Sequence, residues 1–120
     1  MALIRDRTAI VGIGQTRFAK VLPESELTMA CQAIKAALDD CGIHPSEVDG
    51  LASYTMEPYV EVEVARNLGM GDITWFSQVG YGGGAGCGVV GQAAMAVATG
   101  QCSVAVAWRS RKRGAASSRP

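Results

Sequence analysis

The apolar residues of this chain follow two different periods, which together predict alternating strands and helices. Thr8–Gly14 is a short, continuous apolar run with β-branched residues, which is typical of a buried parallel strand. From Ser25 or Glu24 to about Asp40, apolar residues recur at i, i+3, i+4 and i+7, which predicts an amphipathic helix. Three further strands are predicted over Val48–Tyr54, Ile73–Ser77 and Ser103–Trp108.

The segment Tyr59–Leu68 fits either period. Valines alternate with glutamates up to Val64, as in a strand, whereas Ala65 and Leu68 continue a helical pattern. We favour a helix that ends at Gly69. With this helix the order is β-α-β-α-β-α-β, and the connections are long enough for right-handed crossovers between parallel strands.

A glycine-rich loop leads into a helix of small residues in the last third of the chain. The helix Gly86–Thr99 contains no charged residue, so we expect it to be the most buried helix of the fold. The loop before it would present free backbone N–H groups to an anion, an oxyanion or a thiolate. Its glycines are Gly80, Gly82, Gly83, Gly84, Gly86 and Gly88.

Size and charge narrow the class of protein. The chain has 120 residues, 48% of them hydrophobic, which is enough for one domain with a modest core. Its 11 basic and 11 acidic residues balance, which argues against a nucleic-acid partner. No apolar run approaches the roughly 20 residues of a membrane span, and the N-terminus has no secretory pattern. We therefore expect a cytoplasmic protein.

Few residues suggest metal or nucleotide chemistry. The four cysteines form no C-x-x-C pair, and His44 is the single histidine, so no metal site is expected; buried free thiols are favoured over disulfides. Gly12 and Gly14 begin a dinucleotide fingerprint, but Arg17 occupies the position of its third glycine. At the start of the second strand, a solvated or capping carboxylate is favoured over a catalytic one for Asp49.

Several stretches together resemble the thiolase superfamily, in its sterol-carrier-protein-thiolase and lipid-transfer-protein (thiolase-like aldolase) branch. They are Ala93-Ala94, Ala96, Gly100, the strand Ser103–Trp108, and the passage from Ala37 to Leu51. The resemblance implies an α/β fold: the three-layer N-terminal subdomain of a thiolase, incomplete, with a mostly parallel sheet of four or five strands. Residues 1–108 would form this segment. Residues 109–120, which hold five of the basic residues, would form a mobile tail.

The same resemblance places the nucleophilic cysteine of the family at Gly84 of this chain. Because glycine cannot be a nucleophile, the resemblance implies retro-aldol carbon–carbon cleavage of an acyl-CoA thioester without an acyl-enzyme. Gly82 and Gly83 would then bind the thioester or enolate oxygen through their amides, with Tyr81 as a possible donor. Arg111 and Lys112 would meet the phosphates of coenzyme A, which is part of the substrate; no separate cofactor is implied.

Two alternatives stay open at this stage. Cys87, one helical turn further on, could act as the nucleophile of an acetyl-CoA acetyltransferase. Otherwise the chain could be a non-catalytic fragment or a subunit that supplies half of a dimer core. The resemblance implies lipid metabolism, including steroid degradation, a homodimer formed through Ile73–Ser77, and an accessory protein subunit. We expect these 120 residues alone to be inactive, whereas a full-length relative would be an enzyme.

Overall fold

The structure, a computed structural model, describes residues 4–18, 23–54, 61–80 and 84–110. Their helices and strands alternate along the chain. In order they are α1 (Glu26–Cys41), a short 3-10 helix (Pro45–Glu47), β1 (Gly50–Tyr54), α2 (Glu61–Leu68), β2 (Trp75–Val79), α3 (Ala85–Ala98) and β3 (Ala105–Ala107). The helix favoured over Tyr59–Leu68 is therefore confirmed as α2.

Helix α1 begins and ends where its local signals predict. The Ser25 hydroxyl accepts a hydrogen bond from the backbone N–H of Thr28 at 3.1 Å and so caps the first turn. At the other end, Gly42 adopts the left-handed conformation, with φ 72°, and its N–H donates to the Leu38 carbonyl. Leu38, Ile34 and Ala30 lie on the buried face between these caps.

The three strands form one parallel sheet in the order β2-β1-β3. Gly50 pairs with Trp75 on one side and with Ala105 on the other. Just before β1, the Asp49 carboxylate accepts hydrogen bonds from the backbone N–H groups of Ser103 and Val104, at 2.8–3.0 Å. Asp49 thus caps the chain that leads into β3, as predicted.

Helices cover both faces of the sheet, which confirms the three-layer α/β class. Leu51 points into a core with α1, Val64 of α2 and Trp108. The next residue, Ala52, points to the opposite face, where it packs against Val89 and Ala93 of α3. Successive residues of β1 therefore belong to two separate cores.

The prediction of a buried strand over Thr8–Gly14 is wrong. This segment forms no strand and runs along α1: the Ile13 N–H donates to Asp40 Oδ2 at 3.0 Å. Gly12 and Gly14 pack so tightly against α1 that a Cβ on either would lie 2.4 Å from a helix backbone atom. Ile10 and Ile13 are 75% and 76% exposed, because no sheet neighbour covers them. The described sheet accordingly has three strands rather than four or five.

Helix α3 is not the most buried helix. Val89, Ala93 and Ala96 are buried against the sheet, but Val90 and Met95 are exposed. The sheet covers one face of α3. In the described residues no helix has the length and apolar character needed to cross a membrane.

The strand predicted over Ile73–Ser77 lies two residues further on, at β2, and is an edge strand as expected. Thr74, one residue before β2, donates its N–H to the Asp49 carbonyl at 2.9 Å and its hydroxyl to the Gln101 carbonyl at 2.8 Å. The ladder with β1 begins at the pair of Trp75 and Gly50.

Candidate functional site

The directions of the connections define a crevice at the carboxyl ends of β1 and β2. The chain leaves β1 towards α2 on one face of the sheet and leaves β2 towards α3 on the other. Ligands of open α/β sheets bind where neighbouring strands diverge in this way. Tyr54 and Val79 are register partners, so the two strands end level with each other at this edge.

One wall of the crevice is the N-terminus of α3. Gly84 is its N-cap residue, with φ −91° and ψ 0°, and no side chain caps the first turn. Amides at the start of a 14-residue helix attract negative charge. Gly84 is exposed, and a Cβ built on it would have no neighbour within 4 Å among the described atoms. Glycine is therefore not enforced here by backbone strain or by crowding.

Cys87 lies in the first turn of α3 and is exposed. The expectation of buried thiols holds for Cys102 alone, since Cys31 and Cys41 are half-buried and Cys87 is exposed. All four cysteines of the chain are free thiols. Cys102, the buried one, lies at the opposite, amino-terminal edge of the sheet, beside Gly50.

The opposite wall contains a carboxylate at the start of α2. The buried Ser53 hydroxyl donates to Glu61 Oε1 at 3.4 Å. Ser53 points to the same face as Leu51, so this pair lies on the α2 side of the crevice. Glu61 thus places a hydrogen-bond acceptor on this side of the crevice.

A cation lies on the α3 side. The Arg109 guanidinium stacks over the ring of Tyr54, with Cζ 4.6 Å from the ring centroid. Tyr54 is 7% exposed, whereas Arg109 is exposed. Tyr54 follows Ala52 by two residues and therefore points to the α3 face of the sheet. The crevice thus has a carboxylate on one side and a guanidinium on the other.

The structure describes only part of the site predicted from the sequence. It describes Gly84 and Cys87 within one helical turn of each other at the start of α3. Tyr81, Gly82 and Gly83 lie outside the described residues, as do Arg111 and Lys112. Within the described ranges, no group of three or more His, Cys, Asp or Glu side chains is placed to hold a metal ion.

Sequence reasoning missed Ser53, Tyr54, Glu61 and Arg109. Their shared signal is position: two end the β1 strand, one begins the helix after it, and one follows the last strand. Because parallel strands bring their carboxyl ends to one edge, residues at predicted strand ends are worth inspecting together.

Comparisons with known proteins give a consistent family. No protein-family model matches the chain. It is 52% identical over 109 residues to a steroid side-chain-cleaving aldolase of Thermomonospora curvata, covering 91% of this chain and 28% of that one. It is 50% identical over 107 residues to the 17-hydroxy-3-oxo-4-pregnene-20-carboxyl-CoA lyase of Mycobacterium tuberculosis, covering 89% and 28%. The chain thus spans 28% of the length of these relatives.

Comparisons with solved structures point to the same group of proteins as the sequence comparisons. The Ltp2-ChsH2(DUF35) aldolase superposes with a TM-score of 0.81 at 55% identity, covering 84% of this chain and 26% of that one. A monomeric SCP2-thiolase-like protein type 1 of Mycobacterium smegmatis gives a TM-score of 0.71 at 27% identity, covering 86% and 23%. Over most of its length the chain is similar to the N-terminal segment of thiolase-superfamily proteins of the sterol-carrier-protein-thiolase-like and aldolase branch.

Proposed function

We propose that this chain is the N-terminal part of an enzyme that cleaves a carbon–carbon bond of an acyl-CoA thioester by a retro-aldol reaction. The observation behind this proposal is Gly84, which has no nucleophilic side chain and caps the helix that forms one wall of the crevice. Retro-aldol cleavage needs a base and a stabiliser of the enolate, but no acyl-enzyme.

The names of the two relatives support the reaction class. One is named an aldolase and the other a lyase. The name of the lyase describes a steroid with a hydroxyl group on carbon 17 and the carboxyl-CoA group on the neighbouring carbon 20. Such a substrate is a β-hydroxyacyl thioester. When the bond between its α and β carbons breaks, a base takes the hydroxyl proton and the β carbon becomes a carbonyl. The α carbon keeps the electron pair as an enolate and is then protonated.

In this proposal the residues of the crevice have different roles in binding and catalysis. The amides at the start of α3, with those of Gly82 and Gly83, stabilise the enolate or thioester oxygen, which requires no side chain. Tyr81 donates a further hydrogen bond. Arg111 and Lys112 contact the phosphates of coenzyme A. The Glu61 carboxylate, held by Ser53, is the described group best placed to accept a proton.

The assembly of the complete protein is part of the proposal. The two-component name of the Ltp2-ChsH2(DUF35) aldolase supports an accessory subunit of the DUF35 type. A homodimer through the β2 edge is supported by Phe76, which is 65% exposed there. The Mycobacterium smegmatis relative is named as monomeric, so this dimer needs its own test. We propose a cytoplasmic location.

The test uses a chimera in which this chain replaces the matching N-terminal segment of the Thermomonospora curvata aldolase, co-expressed with a DUF35 subunit. It is incubated with a β-hydroxyacyl-CoA of a steroid side chain, with the complete parent aldolase as the positive control. We expect a shortened acyl-CoA and a carbonyl product in equal amounts. A folded chimera that binds the thioester without cleaving it would contradict the proposal.

An acyltransferase that uses Cys87 is the second candidate, because this thiol is exposed in the first turn of α3. A thiol at this position could attack the carbonyl carbon of a thioester and take up its acyl group. This alternative predicts transfer of an acyl group to a thiol acceptor and no carbonyl product. A non-catalytic subunit is the third candidate, and it predicts no turnover of either kind.

A further inference from the structure

The Arg109 side chain is fixed at the crevice although it is exposed. Its guanidinium lies 4.6 Å from the centroid of the Tyr54 ring, and Tyr54 is buried at the carboxyl end of β1. Stacking on an aromatic face restricts the orientation of the guanidinium plane. The side chain is therefore directed by the sheet rather than free in solvent.

The register of the sheet explains this contact. Ala52 pairs with Ala107, and the Trp108 N–H continues the ladder by donating to the Ala52 carbonyl at 3.1 Å. Two residues beyond the Ala52–Ala107 pair, Tyr54 and Arg109 therefore lie opposite each other on the α3 face of the sheet. Trp108 and Ser110 point the other way and are buried, so the backbone around Arg109 is held on both sides.

The charge of Arg109 is not neutralised within the described part of the chain. The ion pair found there joins Lys35 to Asp39, on α1. Stacking occupies the face of a guanidinium and leaves its in-plane N–H donors available. Such an edge can donate two parallel hydrogen bonds to a phosphate, a carboxylate or an enolate.

We infer that Arg109 is an anion-binding residue of the crevice and that Tyr54 is its positioning residue. The inference rests on the proposed function for the identity of the ligand, an oxyanion of an acyl-CoA thioester. That oxyanion is either a phosphate of the coenzyme or the thioester oxygen on which charge develops during cleavage. Neither residue was among the candidates suggested by the sequence motifs.

The two sources are separated with the chimera and two thioesters of the same acyl group, one on coenzyme A and one on N-acetylcysteamine, which has no phosphate. We expect Arg109→Ala to lower either the affinity or the turnover number roughly 10- to 100-fold, the range for a charge-assisted hydrogen bond. If the ligand is a phosphate, the loss is in Kd for the CoA thioester, and the N-acetylcysteamine thioester is unaffected. If it is the thioester oxygen, kcat falls on both substrates.

Conservative variants test positioning. Tyr54→Leu removes the aromatic ring and reproduces much of the Arg109→Ala loss, whereas Tyr54→Phe keeps the ring and loses less than Tyr54→Leu. Arg109→Lys keeps the charge but not the planar fork, so it does not restore the parent values. Arg66→Ala, which removes an exposed arginine of α2, is the matched control.

The inference is overturned if a folded Arg109→Ala variant stays within twofold of the parent in both Kd and kcat. A chimera that cleaves no substrate would contradict the proposed function, and in that case the Kd comparison alone decides the role of Arg109. Retention of native circular dichroism separates both outcomes from misfolding.

Discussion

At the residue scale, the strands pack closely around Gly50, which begins β1. A Cβ at Gly50 would lie 2.6 Å from Cys102 Sγ and 3.2 Å from Trp75 Cε3. Trp75 and Cys102 approach from opposite neighbours of the central strand, so neither can move without disturbing the sheet. The absence of a side chain at Gly50 is therefore a condition for the packing of all three strands.

We expect Gly50→Ala to lower the free energy of unfolding by about 1–3 kcal/mol, the usual range for overpacking. Gly91→Ala is the control, because a Cβ on this exposed helical residue meets nothing within 4 Å. The better helix propensity of alanine should raise stability there by about 1 kcal/mol. Urea unfolding measures the free energy of unfolding of both variants. Equal values for the two variants would contradict the packing argument.

Cys102 makes the stability of the fold sensitive to alkaline pH. Burial raises the pKa of its thiol, and the nearby negative charge of Asp49 raises it further. The unfolded thiol titrates at about 8.5, and below this pH the thiol is neutral in both states, so its contribution is fully present. Above it the unfolded chain ionises first, and that contribution is lost as pH rises towards the higher pKa of the folded state.

We therefore expect the unfolding free energy of the parent to fall more steeply between about pH 8 and pH 10 than that of Cys102→Ala. Cys87→Ala removes an exposed thiol and should keep the slope of the parent. Denaturant unfolding at several pH values measures the three slopes. If the parent and Cys102→Ala share one slope, the buried thiol has no such effect.

At the scale of elements, local sequence signals were sufficient to predict the helices but not every strand. Helix α1 is predicted to within about one residue because its cap at Ser25 and its stop at Gly42 are encoded next to it. Thr8–Gly14 is composed like a strand, yet a strand requires a neighbour, which no local pattern supplies. The Tyr54–Arg109 contact was likewise beyond prediction, because it depends on the register between β1 and β3.

The β2 edge provides the test at this scale. Phe76 is 65% exposed on an edge strand, where apolar side chains and unpaired backbone groups favour association. We expect the chain to form dimers or larger species by light scattering, and Phe76→Glu to reduce them. Val62→Glu, which alters an α2 residue that is 60% exposed, is the control and should associate like the parent. A parent that stays monomeric would contradict this role of β2.

At the scale of the whole molecule, the described fold brings groups from distant parts of the chain to one edge of the sheet. The sheet brings the N-termini of α2 and α3 to a single edge, with Glu61, Arg109 and Gly84 around it. The resemblance to thiolase-like aldolases was predictable because it rests on contiguous stretches: α3 with Gly100, the strand after it, and the passage from Ala37 to Leu51. The groups that surround the crevice were not, because they come from separate parts of the chain.

The most direct test of this account asks whether an acyl group ever resides on Cys87. The chimera with the Thermomonospora curvata aldolase is quenched during turnover of a β-hydroxyacyl-CoA, and the peptide that contains Cys87 is weighed by mass spectrometry. We predict an unmodified thiol and a Cys87→Ala variant that cleaves at the rate of the parent. An acylated Cys87, or a folded Cys87→Ala variant without activity, would contradict the retro-aldol account and identify an acyltransferase.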